Sequence, residues 1–203
     1  MADMESNYID IKTVNYYEAN AADFVAGTAG ADMSDALGRF EALLPQGGVV
    51  LDWGCGSGRD SKAMAERGFN VTATDASFAM CEAAVGFAGV NVRNEGFLDL
   101  REENAYDGIW ACASLLHLRR DELPAAFLRA HAALKKGGVL YAGFKLGDFE
   151  GYRNGRWFTD LSEGDLGELL AVERWRLVET WRSGDVREGR GDEQWLNFLA
   201  RKA

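Results

Sequence analysis

Residues 52–60 read Asp-Trp-Gly-Cys-Gly-Ser-Gly-Arg-Asp, with glycines at 54, 56 and 58. That spacing lets a backbone turn tightly from a strand into a helix and brings amides close to a ligand. Asp75 follows 23 residues after Asp52, at the end of the run FNVTATD. A carboxylate there can accept hydrogen bonds from both hydroxyls of a ribose, each worth roughly 1.5–3 kcal/mol because the acceptor is charged. The pair of features points to a nucleoside-containing cofactor.

Which cofactor depends on the residues between the glycines. A dinucleotide site needs G-x-G-x-x-G/A, and counting from Gly54 puts Arg59 at the third small position, while counting from Gly56 puts Ser61 there. An arginine obstructs the close helix–strand packing of a pyrophosphate site. Asp52 is poorly placed for pyrophosphate and well placed for an ammonium group. No GK[ST] follows, so a P-loop is absent.

Other side chains could carry chemistry, each with a plainer reading beside it. His117 and Tyr17 are the candidates for moving a proton; a histidine ending an apolar run can equally be a hydrogen-bonded structural group, and Tyr17 can be helix packing. Arg59 could reach a cofactor carboxylate or an anionic substrate, or form a surface ion pair. Trp157 and Phe158 stand where substrate would approach, or fill the core. Cys112 reads as a small buried filler, His131 as a solvated helix residue, and Arg190-Gly191-Asp192 as a turn.

The elements that must hold these residues alternate. Val14, Tyr17, Ala21, Phe24 and Val25 share one helical face, and Met33, Ala36, Leu37, Phe40, Leu43 and Leu44 another. Strand patterns follow at 48–53, 69–75, 90–94, 106–114 and 139–145, with helices at 60–67, from Ser77 to about Phe87, and after Asp121, which can cap a helix closed by Gly137-Gly138. A glycine-rich loop leads to a helix near 163–171 with the capping pattern Ser162-x-x-Asp165. Two alternating runs, 175–181 and 195–200, suggest a terminal hairpin. Continuously apolar strands between helices mean a parallel sheet covered on both faces.

At 203 residues and 47% hydrophobic content the chain can bury its own core and forms one domain. The expected divisions are a helical cap (1–46), a cofactor-binding core (47–145) and a substrate-side loop, helix and hairpin (146–203). Lys plus Arg is 22 against 32 Asp plus Glu, a net charge of -10, which disfavours nucleic acid and anionic membrane as partners. The first ten residues lack the basic and apolar regions of a signal peptide, and three cysteines without a CxxC pair read as reduced thiols. The expectation is a cytoplasmic protein with no metal site; the oligomeric state is left open.

The run VVLDWGCGSGRDS resembles motif I of the class I S-adenosylmethionine-dependent methyltransferases. VTATDAS resembles their ribose-binding segment, Glu95-Gly96-Phe97-Leu98 their adenine segment, YDGIWACASLLHL their motif IV, and LKKGGVLY the turn before their fifth strand. The resemblance implies a Rossmann-like α/β fold: a doubly wound, mostly parallel seven-stranded sheet with an antiparallel C-terminal hairpin. It also implies S-adenosyl-L-methionine as cofactor. Asp52 would then meet the methionine ammonium through water, Gly54 and Gly56 would give room in a loop that includes Cys55 and Arg59, and Asp75 would bind the ribose. Ala76 would pack on adenine, Gly96 and Phe97 would contact it, and the Ala111 carbonyl would accept from the ammonium. Gly96 stands where many relatives carry an Asp for the adenine amine.

Tyr16-Tyr17, GSGRDS and ACASLLH further resemble a small tellurite-resistance-like subgroup. The absence of an Asn/Asp-Pro-Pro-aromatic in motif IV argues against a nucleobase acceptor. The implied function is in-line methyl transfer to a small-molecule acceptor, a metalloid oxyanion or a small metabolite, with a nicotinamide-dependent oxidoreductase and a non-catalytic cofactor-binding protein as the rivals.

Overall fold

The structure, a computed structural model, describes residues 10–187 and 193–203; the first nine residues and the Arg190-Gly191-Asp192 turn lie outside them. Two helices come first, α1 (Ile11–Thr28) and α2 (Ser34–Glu41). The alternating core follows as β1 (Val49–Trp53), α3 (Arg59–Glu66), β2 (Asn70–Asp75), α4 (Phe78–Ala88), β3 (Asn91–Asn94), β4 (Tyr106–Ala111), α5 (Leu123–Ala133) and β5 (Leu134–Lys145). Then come β6 (Glu150–Arg153), β7 (Arg156–Thr159), α6 (Glu163–Leu170), β8 (Trp175–Gly184) and β9 (Gln194–Lys202).

Seven strands form one sheet in the order β3-β2-β1-β4-β5-β9-β8. The first five run parallel, and β9 enters antiparallel between β5 and β8, so the expected doubly wound sheet with its terminal hairpin is present. The order reverses between β1 and β4, which opens a crevice at their carboxyl ends.

The central strands β1 and β4 are buried on both faces because successive side chains enter two different cores. Leu51 and Trp53 of β1 and Ile109 and Ala111 of β4 join the core that holds Phe127 of α5 and Leu166 of α6. Val50, just before Leu51, and Trp110, between Ile109 and Ala111, join the core built with Phe40 of α2 and Met64 of α3. The expected face of α2 is buried there as well. Each large apolar side chain so buried contributes about 1.5–3 kcal/mol, which holds an eight-residue helix too short to persist alone. The capping pattern predicted at the last helix is present, with Ser162 and Asp165 in a reciprocal capping box, while Ser77, expected as the first residue of α4, caps it by accepting from the Met80 amide.

Four expectations need correction. Asp121 does not cap α5; the residue before the helix is Glu122, without a side-chain cap, and Pro124 in the first turn removes one of the amides a cap would serve. Gly137-Gly138 does not close that helix either. β5 already begins at Leu134, and the glycines lie in an irregularity where the register jumps from Tyr106↔Leu134 to Gly108↔Val139, with Gly137 at φ +78°. β4 stops at Ala111, because Ala113 adopts φ +52° and residues 115–117 turn into a short 3-10 helix. The glycine-rich loop after β5 contains a hairpin, β6–β7, turning on Asn154 (φ +49°) and Gly155 (φ +81°). Among the described residues no helix is long and apolar enough to cross a membrane.

Candidate functional site

A cavity of about 320 Å³ opens at the reversal of strand order, between the carboxyl ends of β1, β2 and β4 on one side and α1 with the β6–β7 hairpin on the other.

The first wall starts at the loop after β1. The amides of Gly54 and Cys55 both donate to the Thr74 carbonyl at 2.9 Å, and the Gly58 amide to the Cys55 carbonyl at 3.0 Å. The Gly56 amide donates to Asp75 Oδ2 and the Ser77 amide to Asp75 Oδ1, both at 2.9 Å. These loop amides are therefore spent inside the fold, and what the glycines supply is room. At Gly54, where φ is +81°, a Cβ would lie 2.5 Å from Ser114 Cβ and 3.1 Å from the Phe97 ring. Asp75 keeps acceptor capacity, since an ionised carboxylate has about four lone-pair sites and the two amides take two. Burial raises its pKa, and the Ser77 and Gly56 amides pull the other way.

Behind the loop, Asp52 is 2% exposed and accepts a hydrogen bond from Ser61 Oγ at 2.6 Å. Burial, followed by the charge of Asp60, pushes its pKa up to about 7. Asp60 is held by the Arg59 guanidinium in a two-pronged contact of 2.7 and 2.9 Å and by Trp110 Nε1 at 2.9 Å. The Arg59 fork faces its own neighbour, with Nη1 on the Thr28 carbonyl at 3.3 Å. At the next strand end, the Gly96 amide donates to Asp99, which closes the turn that presents Phe97 against Trp53.

The opposite wall joins the two candidate proton carriers directly. His117 Nδ1 lies 2.6 Å from the Trp157 carbonyl, which can only accept, so Nδ1 carries the hydrogen and Nε2 is an acceptor. The Tyr17 hydroxyl therefore donates to His117 Nε2, at 2.8 Å, and its oxygen in turn accepts from Arg156 Nη1 at 3.3 Å. Burial pushes the His117 pKa down to about 4, so the ring is neutral, and burial raises that of Tyr17. The hairpin is pinned in place by the Trp157 amide on Thr13 Oγ1 at 2.8 Å and by Thr159 Oγ1 on the Leu118 carbonyl at 2.7 Å.

Of the residues singled out in the sequence, Asp52, Gly54, Cys55, Arg59, Asp75, Ala76, Gly96, Phe97, Tyr17 and His117 all line this one cavity. Gly56 and Ala111 do not. Gly56 acts through its amide on Asp75, and Ala111 is fully buried in the core, the lining being taken over by Cys112 and Ala113. His131 is not a solvated residue: its ring packs edge-on against Trp175 at 5.1 Å, with Nε2 buried. Sequence reasoning missed Phe24 and Thr28 as lining residues, although Phe24 shares the Tyr17 face of α1. That face is half-buried because it borders a cavity, not a core. It also missed Arg156 and Lys145. The dipeptide Asn154-Gly155 between EGYR and RWFT was the available signal for the hairpin that carries Arg156.

Residues 50–138 match the family model described as a methyltransferase domain. YqeM of Bacillus subtilis strain 168, whose name marks it only provisionally as a methyltransferase, is 33% identical over 54% of this chain and 49% of its own length. The ubiquinone biosynthesis O-methyltransferase of Pseudomonas aeruginosa strain UCBPP-PA14 is 31% identical over 68% of this chain and 55% of its own length. The chain thus spans about half the length of the curated relatives it matches. Among solved structures, the 1,6-didemethyltoxoflavin-N1-methyltransferase of Burkholderia thailandensis, with 1,6-didemethyltoxoflavin and S-adenosylhomocysteine bound, superposes with a TM-score of 0.74. It is 26% identical, and the match covers 94% of this chain and 85% of that one.

Proposed function

We propose, from the premise that residues 50–138 are a methyltransferase domain of the class I fold with S-adenosylmethionine as its cofactor, that this chain transfers a methyl group to a small-molecule acceptor. The observation that carries the reading is Asp75, a carboxylate at the end of β2 that lines the cavity with both oxygens fixed by amides and lone pairs to spare.

The residues present fit that cofactor. Asp75 is built to receive two hydroxyls, and Asp52, with a pKa near 7, is ionised more readily once a cation approaches it. The space that a Cβ on Gly54 would fill belongs to the cavity wall. A pyrophosphate, by contrast, needs free amides, and those of Gly54, Cys55, Gly56 and Gly58 are already bonded. This disfavours the nicotinamide reading on grounds independent of Arg59.

When bound, the cofactor supplies an electrophilic methyl on a sulfonium. The protein's share is to hold the acceptor in line and exclude water. Tyr17 can take a proton from an acceptor only by passing its own to His117 Nε2. With the His117 pKa near 4 this pair is a weak base, so the site suits an acceptor that is nucleophilic without deprotonation.

A cavity of about 320 Å³, at the lower end of ligand pockets, supports a small acceptor. The acceptor in the name of one similar protein of known structure, 1,6-didemethyltoxoflavin, is of that class. The motifs of the tellurite-resistance-like resemblance add a metalloid oxyanion as a candidate. Calorimetric titration with S-adenosylmethionine, S-adenosylhomocysteine and NADH tests the reading. Binding of the first two in the micromolar range, without the third, is expected; binding of NADH alone, or of none, overturns it.

A further inference from the structure

We propose that Arg156 anchors an anionic group of the methyl acceptor, a carboxylate or another small oxyanion; this rests on the methyltransferase reading above.

Five cations line the cavity: Arg59, Lys145, Arg153, Arg156 and Arg187. Four of them already face a carboxylate. Arg59 pairs with Asp60, Lys145 with Glu193, Arg153 with Asp160 and Arg187 with Asp185. Arg156 has no carboxylate partner among the described residues, although it is only 9% exposed. Its polar contact is Nη1 donating to Tyr17 Oη at 3.3 Å, and Nε is buried without a partner. An unpaired Nε alone would signify little, since Arg93 and Arg201 share it; both, however, place another nitrogen on a close acceptor, Glu102 and the Gly137 carbonyl respectively.

The surroundings of Arg156 are aromatic: the rings of Tyr16, Phe158 and Tyr17 lie 4.6, 5.2 and 5.7 Å from its guanidinium carbon. Such rings attract the charge but accept none of its in-plane hydrogen bonds. A guanidinium has five N–H donors and remains ionised at any working pH, so burying it with one bond made is costly. The partner that would offset this cost must come from the cavity, and the planar fork matches an oxyanion better than a neutral acceptor.

The position is also apt. Arg156 is bonded to Tyr17, so an anion held there sits beside the Tyr17–His117 pair, on the wall opposite the one that carries Asp52 and Asp75. The acidic balance of the chain is offset locally by one cation with no carboxylate partner among the described residues.

The test measures binding of acetate, benzoate and methylphosphonate, against their neutral twins acetamide and benzamide, to protein saturated with S-adenosylhomocysteine at constant ionic strength. Expected is a preference of tenfold or more for at least one anion, lost in Arg156→Gln and partly kept in Arg156→Lys. The carboxylate and phosphonate arms show which oxyanion fits. Indistinguishable twins in the wild type, or a preference that survives in Arg156→Gln, overturn the proposal. The wild-type comparison decides even where the Gln variant fails to fold, with the Lys variant as second probe. S-adenosylhomocysteine affinity is read separately in each protein: its absence from the wild type defeats the methyltransferase reading, whereas intact affinity with no anion preference defeats the Arg156 assignment alone.

Discussion

The two walls of the cavity are built on opposite principles. The wall at the ends of β1 and β2 consumes its own donors: Gly54 and Cys55 bond to Thr74, Gly56 and Ser77 to Asp75, Ser61 to Asp52, and Ser114 Oγ to the Trp53 carbonyl at 2.6 Å. What it turns toward the cavity is acceptor capacity on buried acids. The wall made by α1 and the β6–β7 hairpin consumes acceptors instead, the Trp157 carbonyl on His117 and the Tyr17 oxygen on Arg156, and ends on a cation. A group rich in hydroxyls and positive charge is served by the first wall, an electron-rich one by the second. That division is what a transfer reaction between two bound molecules requires, and each wall can be broken separately.

The largest effect is expected from Asp75→Ala. Two hydrogen bonds to a charged acceptor at roughly 1.5–3 kcal/mol each correspond to a loss of S-adenosylhomocysteine affinity of about a hundredfold or more. The change also strips the Gly56 and Ser77 amides of their acceptor, so it acts on the loop as well. Calorimetry reads the affinity, and thermal melting without ligand reads the damage to the loop. An unchanged affinity would remove the ribose assignment and with it the distinction between the walls.

The walls also differ in how far they could be read before the structure. The first was legible because its parts are local: a glycine loop sits where a strand must become a helix, and the acid lies one strand and helix further on. Even there, the glycines suggested amides offered to a ligand, and the amides turned out to serve Thr74 and Asp75. The second wall depends on pairs far apart in sequence, Tyr17 with His117 and Tyr17 with Arg156, 100 and 139 residues apart. No local pattern encodes such a contact. The hairpin that delivers Arg156 was encoded, in Asn154-Gly155, but glycines at 143, 147, 151 and 155 blurred the strand alternation on either side. The half-buried apolar face of α1 looked like core packing because a helix bordering a cavity and one bordering a core share the same period. Ala111 falls outside the lining for a related reason: β4 ends at Ala111, and Cys112 and Ala113, with its positive φ, form the wall beyond it.

A smaller, graded effect should come from pH. The folded, ligand-free protein keeps a proton on Asp52 up to about pH 7, whereas an ordinary aspartate loses it near 3.8. For stability, that raised value means a contribution present at low pH and lost as pH rises through 7. For binding the sign is opposite. A ligand ammonium favours the ionised carboxylate, so S-adenosylhomocysteine affinity should climb roughly tenfold between pH 6 and 8, and Asp52→Asn should flatten that climb. A profile that stays level in the wild type would place the ammonium away from Asp52.

The smallest effect on cofactor affinity is expected from Tyr17→Phe, and it is the sharpest check that the walls are independent. Tyr17 lines the same cavity as Asp75, but its hydroxyl is committed to His117 and Arg156. Its loss leaves His117 Nε2 without a donor in a buried setting, at a cost of about 1–3 kcal/mol in folding stability, while the ring keeps its edge contacts with Tyr16 and Phe24 at 5.5 and 5.0 Å. Denaturant melts should therefore shift, whereas S-adenosylhomocysteine affinity should stay within about threefold, a change of under 1 kcal/mol. Turnover of any acceptor that loses a proton should fall with the hydroxyl, because the hydroxyl is the group bonded to His117 Nε2. A collapse of cofactor affinity as deep as that of Asp75→Ala would mean that α1 and the hairpin shape the cofactor site itself, and the two walls would have to be treated as one.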